Sequence, residues 1–392
     1  MADLSAIIVN YNSGWFCRNL VDSLQDQDFP SPRGGRGALE IIVVDNASPE
    51  DQHAWLDPLK ERGVRVVYAE RNTGYGGGCN LGLRFASAEH VLMANPDVVI
   101  MPGSLARLCE VLFHTPDAGV VGPRGWLDPG FHFLLPPVEL PDTRSHLYET
   151  AGRIFKGVGR RFSLARARYA LGYWTGDGVV DAEVISGYCF LMPAALARRL
   201  GPFDPDFPFY YEDDDLCVRA AREGRRLLFV KDTRVVHFYN KSAGPVFDEV
   251  IGKYYRSKSY FYRKHRGRFR HALYVLSTAF LKRYGDRFKG SGFAETRDLG
   301  VLDAPPALAP PGGAPAVVEI TLDPTFVLAA GHLHPGGDYR MPELTWRALD
   351  ATRWYLRFLD PECRRILATY TFEKASPAEL PPAYAEMKGR EP

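Results

Sequence analysis

The sequence predicts an α/β chain, a mostly parallel sheet with helices on both faces, followed by a small all-β module. Three observations predict it. From residue 4 to about 123, β-branched apolar runs alternate with stretches of helical period, and continuous apolar strands separated by helices mean a parallel sheet covered on both sides. Pro and Gly then crowd "APPALAPPGGAPA", which sustains neither a helix nor a central strand. Beyond it the pattern is that of strands alone.

In chain order, "LSAIIVN", "EIIVVDN", "VRVVYAE", "HVLMANPDVVI" and "AGVVGP" read as strands. "GWFCRNLVDSLQ", "PEDQHAWLDPLKER", "GGGCNLGLRFAS" and "PGSLARLCEVLFH" read as the helices between them. In such sheets ligands bind beyond the carboxyl ends of the strands, where Asn10, Tyr11, Asp45, Asn46, Asn95 and Asp97 fall. Residues 128–178 lose the rhythm and read as an irregular basic insertion near the mouth. "VVDAEVISGYCFLM" reads as one further strand leading into an acidic run, and the basic, aromatic stretch from Lys253 to Arg287 as two helices. The expected organisation is 1–290 for the α/β domain, with a basic helical part at about 244–290. A linker over 291–316, a β module over 317–375 resembling a fibronectin type III fold, and a tail over 376–392 follow. Trp346, Trp354 and Tyr355 read as core positions of that module.

The chain has 392 residues, 46% of them hydrophobic, and a formal charge of +1. That balance gives no overall attraction to nucleic acid or membrane, so a charged partner must meet a local patch. Six cysteines without C-x-x-C spacing argue against a zinc site and for free thiols in a reducing compartment. "MADLSAIIVNYN" has no basic start before a long apolar run, and no segment reaches the ~18 apolar residues of a membrane span. The expected location is the cytoplasm, or the inner face of a membrane.

The chemistry concentrates in "PFYYEDDDLCVRAAREG". On a helix starting near Glu212, successive residues rotate by about 100°, so the four acids cannot share one role. Asp213 falls on the stripe of Leu216, Cys217 and Ala220, an inward position suited to a general base, because partial desolvation raises a carboxyl pKa. Asp214 and Asp215 read as solvated first-turn acids, Asp215 one turn before Arg219. Asp97, at a strand end after Pro96, is a hard oxygen ligand suited to Mg²⁺ or Mn²⁺, or part of a structural turn. His237 follows another short strand and is either a ligand or a satisfied core residue. "NTGYGGGCNLG" fails the G-x-G-x-x-G register but offers N–H groups at a helix start as an anion site.

Taken in order, "AIIVNYNS", "IIVVDNAS", "NTGYGGGCNLG", "MANPDV", "ISGYCFLMPAALARRLGPFDPDFPFYYEDDDLCVRAAREG" and "VVHFYNKS" resemble family 2 glycosyltransferases of GT-A fold, above all bacterial rhamnosyltransferase-type members that build cell-surface polysaccharides. The resemblance spans roughly residues 4–268. It implies that Tyr11 and Asp45, with Asn10, hold the base and ribose of a nucleotide-sugar donor. Asn72, Gly74, Gly76 and Asn80 would pass over its diphosphate. Asp97 would bind the divalent cation, with Asn95 where the family often has a first aspartate, and His237 would complete the metal site. Asp213, with Glu212 beside it, would be the catalytic base of an inverting transfer to a hydroxyl of a glycan or lipid-linked acceptor. Rhamnose is the first expectation for the sugar. Cations from Lys253 to Lys289 would meet the membrane surface. A sugar nucleotidyltransferase is a rival, although its Gly-rich N-terminal loop is absent where "VNYNSGW" stands. A non-catalytic glycan-binding scaffold is another.

Overall fold

The structure is a computed structural model that describes residues 2–238, 247–284, 296–377 and 379–390. Residues 244–246 and 285–295, which include Lys289 and the start of the expected linker, lie outside them. The elements run β1 Leu4–Asn10, α1 Gly14–Gln25, β2 Leu39–Asp45, α2 His53–Glu61, β3 Arg65–Tyr68, α3 Gly74–Leu83, β4 His90–Ala94, β5 Val98–Ile100, α4 Ser104–His114 and β6 Ala118–Trp126. Then come α5 Thr143–Ile154, α6 Lys156–Trp174, β7 Val179–Asp181, β8 Cys189–Pro193, α7 Ala194–Leu200, α8 Glu212–Arg222 and β9 Arg226–His237. α9 Phe247–Phe261 passes through a π-helical turn, Tyr262–Arg266, into α10 Gly267–Tyr284. The C-terminal part holds β10 Thr296–Leu302, β11 Ala307–Leu308, β12 Ala316–Thr321, β13 Ala330–His334, β14 Tyr339–Arg340, α11 Glu343–Ala348, β15 Arg353–Leu359, β16 Ile366–Lys374 and α12 Tyr384–Met387.

The main sheet has the order β3-β2-β1-β4-β8-β6-β9-β5, with β7 on β9. It is parallel from β3 to β4 and mixed beyond, because β8 runs antiparallel to both β4 and β6. Side chains alternate as the pleat requires. Leu4, Ala6 and Ile8 pack with α1, α2 and α4 on one face, whereas Ile7 and Val9 pack with α3, α7 and α8 on the other. The glycine cluster serves that second face. A Cβ on Gly78 would lie 2.6 Å from Val9, and one on Gly76 2.8 Å from Phe203, so α3 approaches its neighbours more closely than a side chain permits.

Several expectations are corrected here. Residues 128–178 are not irregular, since α5 and α6 occupy most of them. Phe162, Ala167, Ala170 and Trp174 form an inward stripe on α6, while its arginines mostly face out. The single strand expected at "VVDAEVISGYCFLM" is two, β7 and β8. The linker is partly structured: β10 adds to the C-terminal sheet, parallel to β16. That sheet, β10-β16-β15-β12-β13, with its parallel edge, is not the pair of antiparallel sheets a fibronectin type III domain has. Trp346 and Trp354 are buried within it. The tail also docks, as Tyr384 N donates to Asn19 Oδ1 of α1 at 2.6 Å and its hydroxyl to Asp26 at 2.7 Å.

The C-terminal sheet is fixed to the first domain. Leu134 bridges Gly331, and Trp174 of α6 packs with Val317 and Leu359. Arg357 of β15, fully buried, donates to Glu319 at 2.6 Å and to Ser163 Oγ of α6 at 3.0 Å.

Candidate active site

The carboxyl edge of the parallel strands gathers the expected polar residues. Asn10 ends β1 and Asp45 ends β2. Asn10 Nδ2 donates to Asp45 Oδ1 at 2.7 Å, and the Ser48 hydroxyl donates to the same oxygen at 2.6 Å. Asn10 Oδ1 accepts from Ser13 N, so Asn10 is buried and aims Asp45 rather than a ligand. Tyr11 stands exposed beside it. Asn72 Oδ1 accepts from Gly74 N and from Asn46 Nδ2, and Asn46 also donates to Gly74 O. Those bonds fix the turn entering α3. Asn80 does not point toward a donor: it donates to Phe203 O at 2.7 Å and accepts from Phe203 N at 3.1 Å. With Gly76 against the same phenylalanine, these two residues have packing roles.

Backbone strain collects at this edge. Asn12, Ala47, Tyr210 and Tyr211 all have positive φ, and such non-glycine residues cost of order 1–3 kcal/mol each. Tyr210 and Tyr211 immediately precede α8. Their rings pack on Tyr254 and, for Tyr211, also on Phe261, so α9 holds the strained entry in place.

The four acids divide differently from the sequence expectation. Asp215 is 0% exposed, not solvated. It accepts from Arg219 at 2.7 Å, from Lys264 at 2.6 Å and from His265 at 2.6 Å. Burial pushes its carboxyl up, but the bonds from His265, Lys264 and Arg219 outweigh that and bring it down to about 2. Asp214 is also buried, and its Oδ1 has no hydrogen-bond partner among the described residues. Glu212 is buried with Oε2 in the same condition. Burial and the neighbouring acids push both above the ordinary carboxylate range. Asp213 keeps partial solvent contact. Its Oδ2 accepts from Gly187 N at 2.7 Å, and burial raises it against the pull of that N–H. The helical wheel misplaced Asp214 and Asp215 because their cover, α9 and the π-turn, arrives some fifty residues later in the chain.

Asp97 is 1% exposed at the start of β5, and His237 at the end of β9 pairs with Val98 across the sheet. His237 Nε2 lies 3.4 Å from Asp97 Oδ1. The Tyr188 ring stacks on the imidazole, centroids 4.9 Å apart and planes 15° from parallel, and the Tyr188 hydroxyl is anchored on Pro123 O at 2.7 Å. Asn95 N donates to Tyr188 O.

A two-residue segment therefore joins the two clusters. Gly187 N holds Asp213, Gly187 O accepts from the Tyr75 hydroxyl of α3 at 3.0 Å, and Tyr188 positions Asn95 and His237. Gly187, Tyr188 and His265 had no role assigned from sequence, Tyr75 was read only within the stretch from Gly74 to Asn80 that passes over the donor, and Lys264 only among the cations expected at a membrane surface. The only signals were "ISGYC" and the basic "YRKHRG", whose partners are distant in the chain. Through its contacts the Gly187–Tyr188 segment links an acid able to take a proton, a buried oxygen–imidazole pair suited to a divalent cation, and helix α3. Among the described residues no three His, Cys, Asp or Glu side chains group to hold a metal.

Residues 5–162 match the family model described as glycosyl transferase family 2. That segment carries the chain's likeness to family 2 of the glycosyltransferases. Relatives of the chain include a low-salt glycan biosynthesis hexosyltransferase, Agl10, of Haloferax volcanii, 26% identical over 225 residues. That match covers 56% of this chain and 62% of the relative. An N-acetylglucosaminyl-diphospho-decaprenol L-rhamnosyltransferase of Mycobacterium tuberculosis is 25% identical over 223 residues, covering 53% of this chain and 68% of that one. Among solved structures, S. aureus TarS 1-349 in complex with UDP overlays with a TM-score of 0.43 at 16% identity, covering 75% of each chain. That overlay is loose, and the likeness to the family rests on sequence.

Proposed function

We propose that these residues form one site that transfers a sugar, with inversion, from a nucleoside-diphosphate donor to a hydroxyl of a glycan or lipid-linked acceptor. The observation that carries this reading is the Gly187–Tyr188 segment, which touches both the base candidate and the Asp97–His237 pair. Asp213 takes the proton of the acceptor hydroxyl as that oxygen bonds to the anomeric carbon. The bond to the diphosphate oxygen breaks on the opposite face. Its raised carboxyl is matched to that task, since a general base contributes about 10²- to 10⁴-fold when its pKa approaches the working pH. Asp45, steered by Asn10 and Ser48, and the exposed Tyr11 hold the nucleoside, while the Asn72–Gly74 turn bounds the diphosphate.

Asp97 and His237, with Asn95 beside them, would hold Mg²⁺ or Mn²⁺. When bound, the cation supplies Lewis-acid neutralisation of the departing diphosphate. These two described residues, Asp97 and His237, would hold it tightly only with the donor present. Rhamnose is the first candidate sugar, in line with the name of the mycobacterial relative, and cell-surface polysaccharide synthesis the setting. A lipid-linked acceptor would bring the basic segment from Lys253 onward to a membrane surface. No described helix is long and apolar enough to cross a membrane.

The test is a thermal-shift screen of nucleotide sugars with and without Mn²⁺. A donor that raises the melting temperature only with the metal supports the reading. No shift from any donor, with no transfer to any acceptor, would leave the fold without this activity.

A further inference from the structure

Helix α10 turns its apolar side away from the protein. On its inner side Tyr274 is buried and stacks on Tyr262, centroids 4.7 Å apart, and the Ser277 hydroxyl lies 2.8 Å from His146 Nε2 of α5. On its outer side Phe269, Ala272, Leu276, Ala279 and Phe280 recur at three- and four-residue steps and form one stripe. Phe269 is 75% exposed, Leu276 67% and Phe280 42%. A surface helix of a globular protein shows the reverse arrangement. Large exposed apolar patches rimmed by polar residues mark an interaction site. The rim here is cationic: Arg268 and Arg270 lie at one end, Lys282 and Arg283 at the other, all exposed, and the helix contains no acid.

We infer that this face of α10 docks on a bilayer carrying anionic lipid. The aromatic and aliphatic side chains enter the headgroup–acyl boundary and the terminal cations meet lipid phosphates. The charge pattern favours lipid over a second copy of the chain. A two-fold antiparallel pairing of α10 would set Arg268 and Arg270 of one copy against Lys282 and Arg283 of the other, like charge on like. The inference deepens the lipid-linked acceptor reading, on which it rests for its purpose. It also places the membrane beside the site: α10 continues directly from the turn whose Lys264 and His265 grip Asp215 on the helix that bears Asp213.

The experiment is co-sedimentation of the full chain with vesicles of phosphatidylcholine alone and of phosphatidylcholine containing about a quarter phosphatidylglycerol. Binding is expected to be at least about tenfold tighter to the anionic vesicles and to weaken as salt shortens the Debye length. The triple substitution Phe269→Ser, Leu276→Ser and Phe280→Ser should cut binding by about tenfold or more with an unchanged melting temperature, because these side chains lie outside the core. Arg268→Gln with Lys282→Gln should reduce the preference for anionic lipid. Equal sedimentation of the triple variant and the parent, or no sedimentation of the parent, overturns the inference. So does a parent dimer, abolished in the triple variant, without vesicle binding. Transfer to a water-soluble acceptor analogue, measured in parallel, should be the same for parent and triple variant. Its absence in both would count against the proposed function and leave the vesicle result standing.

Discussion

Two parts of the molecule bury carboxylates, and they treat them oppositely. In the C-terminal sheet Glu319, 2% exposed, meets the guanidinium of Arg357 at 2.6 Å, and Arg357 is also bonded to Ser163. At the start of α8, Glu212 and Asp214 each bury an oxygen without a hydrogen-bond partner among the described residues, and Asp213 has backbone N–H groups in place of a cation. A buried charge is costly unless paired. The first arrangement joins a sheet to a helix. The second keeps acids short of compensation, as expected where a proton is to be exchanged or a cationic ligand received.

The comparison breaks first at Asp213. Asp213→Asn keeps the shape and the bond from Gly187 N but removes the base. Transfer should fall by about 10²- to 10⁴-fold while the donor still raises the melting temperature. Retained transfer, measured by product formation, would reduce the acid to a helix-start residue.

It is sharpened next at Arg357. Arg357→Met strands Glu319 and should cost about 3–5 kcal/mol in denaturant unfolding. Adding Glu319→Leu should recover most of that, because the pair replaced by apolar side chains of similar volume is often neutral. No comparable recovery is available at Glu212 or Asp214, whose buried oxygens have no hydrogen-bonded cation among the described residues to remove.

How much of this was legible in the sequence follows the range of the interactions. β1, β2 and β4 declared themselves through continuous apolar runs, and Asn10, Asp45 and Asn95 fall at or just beyond their ends because strand ends are local. Asn10 and Asn80 were assigned to donor binding, yet their actual partners, Asp45 and Phe203, lie 35 and 123 residues away. α6 was missed because the strands that bury its stripe, carrying Val317 and Leu359, follow more than a hundred residues later. β10 was missed because an exposed edge strand is held by backbone pairing to β16 and shows little apolar pattern. The orientation of Asp214 and Asp215 failed for the same reason, since a wheel knows one buried side and α8 has two.

Asp215 lies between the two extremes, buried like Glu212 but gripped like Glu319. Asp215→Asn should destabilise by about 1.5–3 kcal/mol near neutral pH, as expected for charge-assisted hydrogen bonds. The loss stays below that of a fully stranded ion, because Arg219 retains the carbonyls of Leu200 and Pro202, and Lys264 retains Asp204. Its folded carboxyl is lowered from 3.8 to about 2. Its contribution is therefore present above 3.8 and lost as pH falls through 2, so parent and variant should converge in acid.

Glu212 gives the smallest effect and the opposite sign. Its folded carboxyl is raised above the ordinary value of 4.5 by burial and by Asp213, so below 4.5 both folded and unfolded chains hold the proton and no penalty exists. As pH climbs, the unfolded chain ionises first and the folded state loses ground. Glu212→Gln removes that term. Its melting temperature should match the parent near pH 4 and exceed it by a few degrees near pH 8, on the order of 1 kcal/mol for a protein of this size. A variant equally stable to the parent at both values would mean that Glu212 already has its compensation, and the contrast with Glu319 would then rest on Asp213 and Asp214 alone.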